Sequence, residues 1–460
     1  MDILIKKFLL VTISVIILVI IINFTCSVKS SAKKNRKKKK INKIEMYENF
    51  DNYLLNGSED HCLGKLGNNI IIATGFCDGN VNFLIKNSYF NKTISSFKRG
   101  FIKNIYSYNI KNDKINIIGE LPNEFIPRQE SGSIVINDKY YLFGGYSYKE
   151  LSIKELEYYK KNNIKLPPKS KIFTYIDSIV INYKNNILNI KKSINLPYPI
   201  CGFKIVKYKN KIYFFGGATY TGKSFNTFTI INKIKIGCGF FSIKLDKEGN
   251  LIKNSLELIN NFKGTDRMEP NVHIYGDNLY VIGGIKTNDD YNNDKGYIEY
   301  NYYNVMDNWK YNFKSKKWIN ISSKDFPLIN QGSVLYKNYI ILIGGTSKNK
   351  SYFNNKLNNN FNKFPNLKYR ITDLKIDTNI KNIKKEYYFS NLIMIYDIDK
   401  DKYYLSDYKL PLNINLPSII IINEYIYLLG GEANPNLINN VYFGNCSSFT
   451  MKINVKDILK

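Results

Sequence analysis

The chain has 460 residues, 44% of them hydrophobic and 15% aromatic, enough apolar surface for a large core and too much for a disordered polymer. Lys and Arg number 67 against 38 Asp and Glu, a net charge of +29 that would ordinarily point to nucleic acid. Here Lys is scattered and Arg rare in a composition saturated with Asn, Ile, Lys and Tyr, so a nucleic-acid groove of clustered Arg and aromatics is not expected, while the positive field still favours a small anionic substrate.

After Lys6 and Lys7, an apolar run over 8–24 has the charged start and hydrophobic centre of an export signal, and it is also just long enough to span a bilayer. Residues 1–27 therefore read as a signal peptide or membrane anchor, 28–45 as a basic tether and 46–460 as the folded domain. The basic run over 33–40 argues, by the positive-inside rule, for a cytoplasmic domain. A large domain behind a lone N-terminal segment is usually translocated, so the expectation is export to the periplasm or cell envelope, with membrane contact only through that segment.

The cysteines at 26, 62, 77, 201, 238 and 446 contain no Cys-x-x-Cys pair, so zinc and thioredoxin-like chemistry lack their ligand spacing. His61 and His273 are too few for a His-rich metal site, and His273 lies in a strand pattern where it reads as a packed side chain. No metal and no cofactor are expected, and no phosphate-binding Gly loop precedes a helix.

One unit recurs along the chain: an alternating strand, a short turn, an aliphatic strand and a Gly-Gly pair. Five copies are clear, SGSIVINDKYYLFGGY ending at Tyr146, CGFKIVKYKNKIYFFGGA at Ala218, PNVHIYGDNLYVIGGI at Ile285, QGSVLYKNYIILIGGT at Thr346 and PSIIIINEYIYLLGGE at Glu432. A degenerate sixth, NNIIIATGF, ends at Phe76. Asn137-Asp138, Lys209-Asn210, Gly276-Asp277, Lys337-Asn338 and Asn423-Glu424 mark hairpin turns, and further strand patterns such as 178–183 and 392–396 supply outer strands. The expected architecture is all-β, a six-bladed kelch-type β-propeller, because ring closure removes the sheet edges that so Ile- and Tyr-rich a chain would otherwise expose. Polar, Asn- and Lys-rich insertions over 147–171, 286–308 and 347–388 follow Gly-Gly pairs, so they fall on one rim, where a ligand pocket would be walled; 151–161 reads as a short helix.

The order of the units resembles the cyclically permuted mutarotase family, relatives of the bacterial N-acetylneuraminate epimerase. The last copy, from Leu429 to Pro435, is similar to the family's Gly-Glu-Ala/Val-x-Pro element, which holds a catalytic glutamate. The segment from Glu386 to Asn391 is similar in place to the epimerase's own insertion, and Arg128 in Pro-Arg-Gln-Glu-Ser-Gly and Arg267 in Asp-Arg-Met-Glu-Pro match arginines that precede the inner hairpin. The likeness spans about 60–450. It departs at Ile438, where the family carries an arginine six residues beyond the glutamate, and at Thr74, which stands in place of the first glycine of the pair.

The resemblance implies acceleration of anomer interconversion of N-acetylneuraminate. A catalyst for this must take the anomeric hydroxyl proton and protonate the ring oxygen, which one carboxylate can begin without a cofactor. Glu432 is the expected catalytic residue, its pKa raised by partial desolvation at the inner end of a channel-lining strand. Arg128 and Arg267 are the expected forks for the substrate carboxylate, with structural pairing to Glu130 or Asp266 as their other reading. The competing function is a non-catalytic cell-envelope propeller that binds a carbohydrate or protein partner. Copper radical oxidases need more histidines than this chain has, and the Ser-x-Asp-x-Gly-x-x-Trp boxes of sialidases do not occur. The sequence leaves open whether the propeller forms a homodimer.

Overall fold

Each repeat folds as the turn chemistry requires. Asn137 and Asp138 have φ of 46° and 58°, and Lys209, Gly276, Lys337 and Asn423, the first residues of the other turns, also lie at positive φ. The flanking residues pair directly across each turn, Ile136 with Lys139 and Tyr208 with Lys211, so the connections are two-residue hairpins whose twist matches the strands. Gly67 opens the sixth hairpin at φ 58°.

These hairpins are the inner strands of six antiparallel blades, five of them four-stranded sheets and the fifth part of a seven-stranded one, seen in a computed structural model that describes residues 45–47, 58–78, 83–84, 99–150, 170–220, 225–231, 233–259, 262–287, 290–292, 297–299, 302–323, 328–347, 388–438, 441–446 and 450–460. In order from the inner strand, blade 1 is Cys62–Leu66, Asn69–Ala73, Asn104–Asn109 and Lys114–Glu120. Blade 2 is Gly132–Ile136, Lys139–Phe143, Ser178–Lys184 and Ile187–Lys192. Blade 3 is Lys204–Tyr208, Lys211–Phe215, Phe240–Lys244 and Glu257–Leu258. Blade 4 is Asn271–Tyr275, Asn278–Ile282, Asn308–Asn312 and Lys317–Ile321. Blade 5 is Gly332–Tyr336, Tyr339–Ile343, Tyr388–Asp397 and Lys402–Asn415. Blade 6 combines Ser418–Ile422, Tyr425–Leu429 and Thr450–Asn454 with Glu45–Tyr47, whose backbone pairs Glu45 with Lys452 and Tyr47 with Thr450. The ring is thus latched by strands from both ends of the folded unit, Glu45–Lys460. Residues 1–44, which carry the apolar and basic segments, lie outside the described residues, as does the helix expected over 151–161.

An apolar cluster fills every junction between neighbouring blades. Tyr140 and Leu142 of blade 2 pack on Leu66 and Ile71 of blade 1, Phe143 on Phe214, and Phe215 on Val281. Ile282 meets Ile340, Ile343 meets Leu428, and Leu429 meets Ile72. That last contact joins the final blade to the first, and each such buried side chain contributes roughly 1.5–3 kcal/mol. The short helix Val455–Ile458, capped by Asn454 accepting from the Lys456 amide, adds Val455 and Ile458 to the cluster between blades 5 and 6.

The Gly-Gly pairs end the second strands. In five copies the first glycine has φ of 55–73° and the second 94–111°. The first value is left-handed and open to other residues at a cost; the second is open in practice only to glycine. The degenerate copy obeys this division, since Thr74 takes the first position at φ 62° while Gly75 keeps the second at 104°. At the second glycine the chains of adjacent blades meet: the amides of Gly75, Gly145, Gly217 and Gly345 donate to the carbonyls of Arg128, Ile200, Arg267 and Ile414, each in the lead-in to the next blade, at 2.8–2.9 Å.

The segments beyond the pairs were expected as irregular polar loops. They begin instead as two-stranded arms, such as Tyr146–Glu150 with Ser170–Thr174 and Ile285–Thr287 with Tyr302–Asn304. The β-branched and aromatic residues on either side of each Gly-Gly pair continue the pairing past it.

Replacing Thr74 by Gly removes a β-branched side chain from a left-handed position and is expected to stabilise the fold by about 1 kcal/mol. Gly217→Ala combines φ 111° with a Cβ 2.6 Å from Ile200 Cδ1 and 2.9 Å from the Cys201 carbonyl, and is expected to cost more than about 2 kcal/mol. Denaturant unfolding of the two variants checks both signs.

Candidate functional site

The residue two positions before each inner strand is left-handed in all six blades: Asp60, Glu130, Gly202, Glu269, Asn330 and Leu416 have φ between 49° and 62°. Asp, Asn and Gly tolerate this conformation, whereas Glu and Leu adopt it against their preference, and Glu269 and Leu416 do so immediately before a proline. Backbone bonds hold neighbouring members together, with Gly202 N–H donating to the Glu130 carbonyl, Glu269 N–H to Gly202 and Leu416 N–H to Asn330. The result is a hoop of six left-handed residues, one per blade.

The hoop and the first residues of the inner strands line a partly open central cavity of about 410 Å³. Three of the six hoop residues are carboxylic acids, and all three line it. Gly202 separates two of them: a Cβ there would lie 3.3 Å from both Glu130 Oε2 and Glu269 Cγ, so the absent side chain leaves room for the two carboxyl groups to approach. Burial raises the Asp60 carboxyl well above the ordinary range, reinforced by the charges of Glu269 and Glu432. Burial raises Glu130 likewise, with Glu269 and Asp60 adding to it. Glu269 is also raised by burial, against the opposing influence of Lys204 and Glu130.

Both histidines contribute to the same wall. His273 Nε2 lies 2.7 Å from Ser333 Oγ of the next blade, and burial followed by the Lys204 charge pushes its pKa down to about 4. This corrects the reading of His273 as a packed strand residue, because its ring is half-buried and lines the cavity. His61 is buried and pushed down to about 3 by burial, with Ser418 Oγ 3.5 Å from Nδ1 and no hydrogen-bond partner for Nε2. Both rings are therefore neutral near pH 7. Among the described residues no group of three or more His, Cys, Asp or Glu side chains is arranged to hold a metal, the hoop carboxyls included.

The three site residues read from the sequence do not meet in this cavity. Arg128 is fully buried; it forms a fork with both oxygens of Asp177 at 2.6 and 3.1 Å, donates from Nε to the Ile126 carbonyl, and lies 3.8 Å from the ring centres of Phe125 and Tyr175. Arg267, also fully buried, donates to the Gly283 and Thr265 carbonyls and to Asp307. Neither lines the cavity, and their partners are Asp177 and Asp307 rather than Glu130 and Asp266. Asp266 binds Lys235 instead. The equivalent lead-in carbonyls of blades 3 and 6 belong to Ile200 and Ile414, both fully buried, so what the position demands is a side chain that fills the junction.

Glu432 occupies the layer just outside the hoop. Its backbone pairs with Asn415 as Phe76 pairs with Glu59, Tyr146 with Gln129, Ala218 with Cys201, Ile285 with Met268 and Thr346 with Ile329. The half-buried carboxylate accepts from Asn415 Nδ2 at 2.6 Å and does not line the cavity, although its charge reaches Asp60 and Glu269. Ile438 ends the same strand. Sequence reading missed Asp60, Glu130 and Glu269 as site residues, yet the last two stand two residues beyond the arginines it singled out, in Arg-Gln-Glu and Arg-Met-Glu.

Neither a family model nor a curated protein matches the chain. Among solved structures, that of YjhT superposes with a TM-score of 0.51 at 13% sequence identity, over 87% of this chain and 96% of that one. At that identity the likeness shows the propeller fold alone.

The raised carboxyls carry a linkage signature. The native state binds their protons more tightly than the unfolded chain, so their stabilisation is complete below the unfolded value of about 4 and is lost as pH rises through the raised native value. Asp60→Asn and Glu130→Gln remove that loss. Each is expected to raise the melting temperature at about pH 8 more than at about pH 4, as thermal unfolding at the two pH values measures.

Proposed function

We propose that the protein is a sugar mutarotase of the N-acetylneuraminate epimerase type, with proton transfer carried out by the hoop carboxyls inside the central channel. The observation that carries this reading is that Asp60, Glu130 and Glu269 share one partly desolvated chamber with raised proton affinities. Opening a cyclic hemiketal requires a base for the anomeric hydroxyl and an acid for the ring oxygen, and closing on the other face reverses both transfers. Interacting carboxyls whose proton affinities are raised lose their protons in separate steps, and between those steps they offer one ionised and one protonated group together, which is that pair.

Within this reading Glu130 and Glu269, on either side of Gly202, act as acid and base, and Asp60 keeps the pair coupled. Family resemblance assigns the base to Glu432; its position one layer out supports a different part, setting the proton affinity of Asp60 and Glu269 through its charge. The fold shared with YjhT is consistent with the resemblance in the terminal Gly-Glu-x-x-Pro element. Carbohydrate binding without turnover is the second reading, favoured by the commitment of both arginines to structural pairs.

Exchange NMR on the anomers of N-acetylneuraminate separates these. The wild-type protein is expected to accelerate interconversion over buffer at neutral pH, and Glu130→Gln and Glu269→Gln each to lower that rate by roughly 100-fold. Glu432→Gln is expected to shift the pH profile while retaining most of the rate. Exchange no faster than buffer with bound sugar supports the second reading, and abolition by Glu432→Gln alone returns the base to that residue.

A further inference from the structure

At the first position of each inner strand, two residues beyond the hoop, the cavity wall is built from Cys62, Gly132, Lys204, Asn271, Gly332 and Ser418. Five of these are small or medium-sized, and the sixth is a lysine. The absence of a side chain at Gly132 and Gly332 is enforced, because a Cβ at Gly132 would lie 2.4 Å from the Phe203 ring and one at Gly332 would lie 2.8 Å from the Pro417 carbonyl. Lys204 is exposed and lines the cavity, so its side chain extends within the channel.

No hydrogen bond or ion pair engages Lys204 among the described residues, although its charge is felt by Asp60, Cys62, Glu130, Glu269 and His273. An ammonium within range of three carboxyls but bonded to none is unusual, since close opposite charges ordinarily pair. Arg128 and Arg267 are held by structural partners, which leaves Lys204 as the one cationic side chain among the described residues that line the cavity. The ring of His61, with its unpartnered Nε2, belongs to the same wall.

Resting on the sugar-channel reading above, we propose that Lys204 is the specificity-determining residue of the site, binding the carboxylate of a sugar acid and so selecting it over a neutral sugar of the same shape. The hoop does not oppose this electrostatically to the extent that its carboxyls are protonated, when they donate hydrogen bonds to an anion. The Lys204 ammonium is a point charge with rotatable donors, suited to a carboxylate whose orientation the hoop carboxyls then fix.

Saturation-transfer NMR titrations with N-acetylneuraminate and with its methyl ester test the proposal through binding alone, apart from turnover. Wild-type protein is expected to bind the acid at least about tenfold tighter than the ester, Lys204→Met to bind both with equal weakness, and Lys204→Arg to keep a preference for the acid. Lys204→Met removes a charge that favours ionisation of the hoop carboxyls, so its melting temperature is compared at about pH 4, below their raised values, where it is expected to be unchanged. Equal binding of acid and ester by the wild-type protein, binding of neither, or an acid preference that persists in Lys204→Met overturns the assignment. An acid preference without accelerated anomer exchange leaves the role of Lys204 standing and removes only the catalytic reading.

Discussion

The hydrogen bond from the second glycine of one blade to the lead-in carbonyl of the next is the contact from which the rest of the architecture follows. It requires backbone from adjacent blades to approach without an intervening Cβ, hence φ near 100° at Gly75, Gly145, Gly217 and Gly345. A lead-in chain held there must turn sharply into its inner strand, and the turn is made by a left-handed residue two positions before the strand. Six such turns compose the hoop. The same constraint that joins these neighbouring blades therefore accompanies a turn that places one residue per blade at the edge of the central cavity.

Three of those side chains are carboxylic acids, which is a poor choice for stability. Burial and mutual repulsion raise their proton affinities, and each is ionised in the folded protein only at a cost. Two lie in a backbone conformation that glutamate disfavours. Elsewhere the protein handles charge conventionally: Arg128 and Arg267 are buried with carboxylate partners, and Asp307, which burial alone would push up, is brought below its ordinary value by Arg267 and by hydrogen bonds from Thr265 and Trp309. Carboxyls desolvated in one chamber without an ion pair, two of them on strained backbone, in a fold whose other buried charges are paired among the described residues, mark that chamber as the place where chemistry or recognition occurs.

Much of the fold was legible in the sequence because its signals are local and repeated. Two-residue turns, period-two strands and Gly-Gly pairs recur closely enough to count blades, and even the Thr74 copy keeps the one glycine the geometry demands. The latch strand Glu45–Tyr47 was not legible, being three residues long and paired across the full length of the chain. The site was less legible still. Glu432, Arg128 and Arg267 follow from resemblance, which transfers residue types but not the layer in which a side chain lies. Glu130 and Glu269 were hidden because glutamate is not a left-handed residue by preference, so nothing local announces that Arg-Gln-Glu and Arg-Met-Glu turn their third residues toward the channel. Lys204 was hidden by composition, as one lysine among many, and is distinguished only by the small residues that face it around the ring.

The proposed chemistry requires hoop carboxyls whose proton affinities lie above the ordinary carboxylate range around a free ammonium. Carboxyl-carbon NMR titration of protein labelled at Asp and Glu, with Asp60→Asn, Glu130→Gln and Glu269→Gln for assignment, reads this directly. The account predicts that the signals lost in these variants titrate well above the ordinary carboxylate range of about 4, and that removing one lowers the titration of the others. Titration of all three within that ordinary range, each indifferent to the loss of its neighbours, would contradict it.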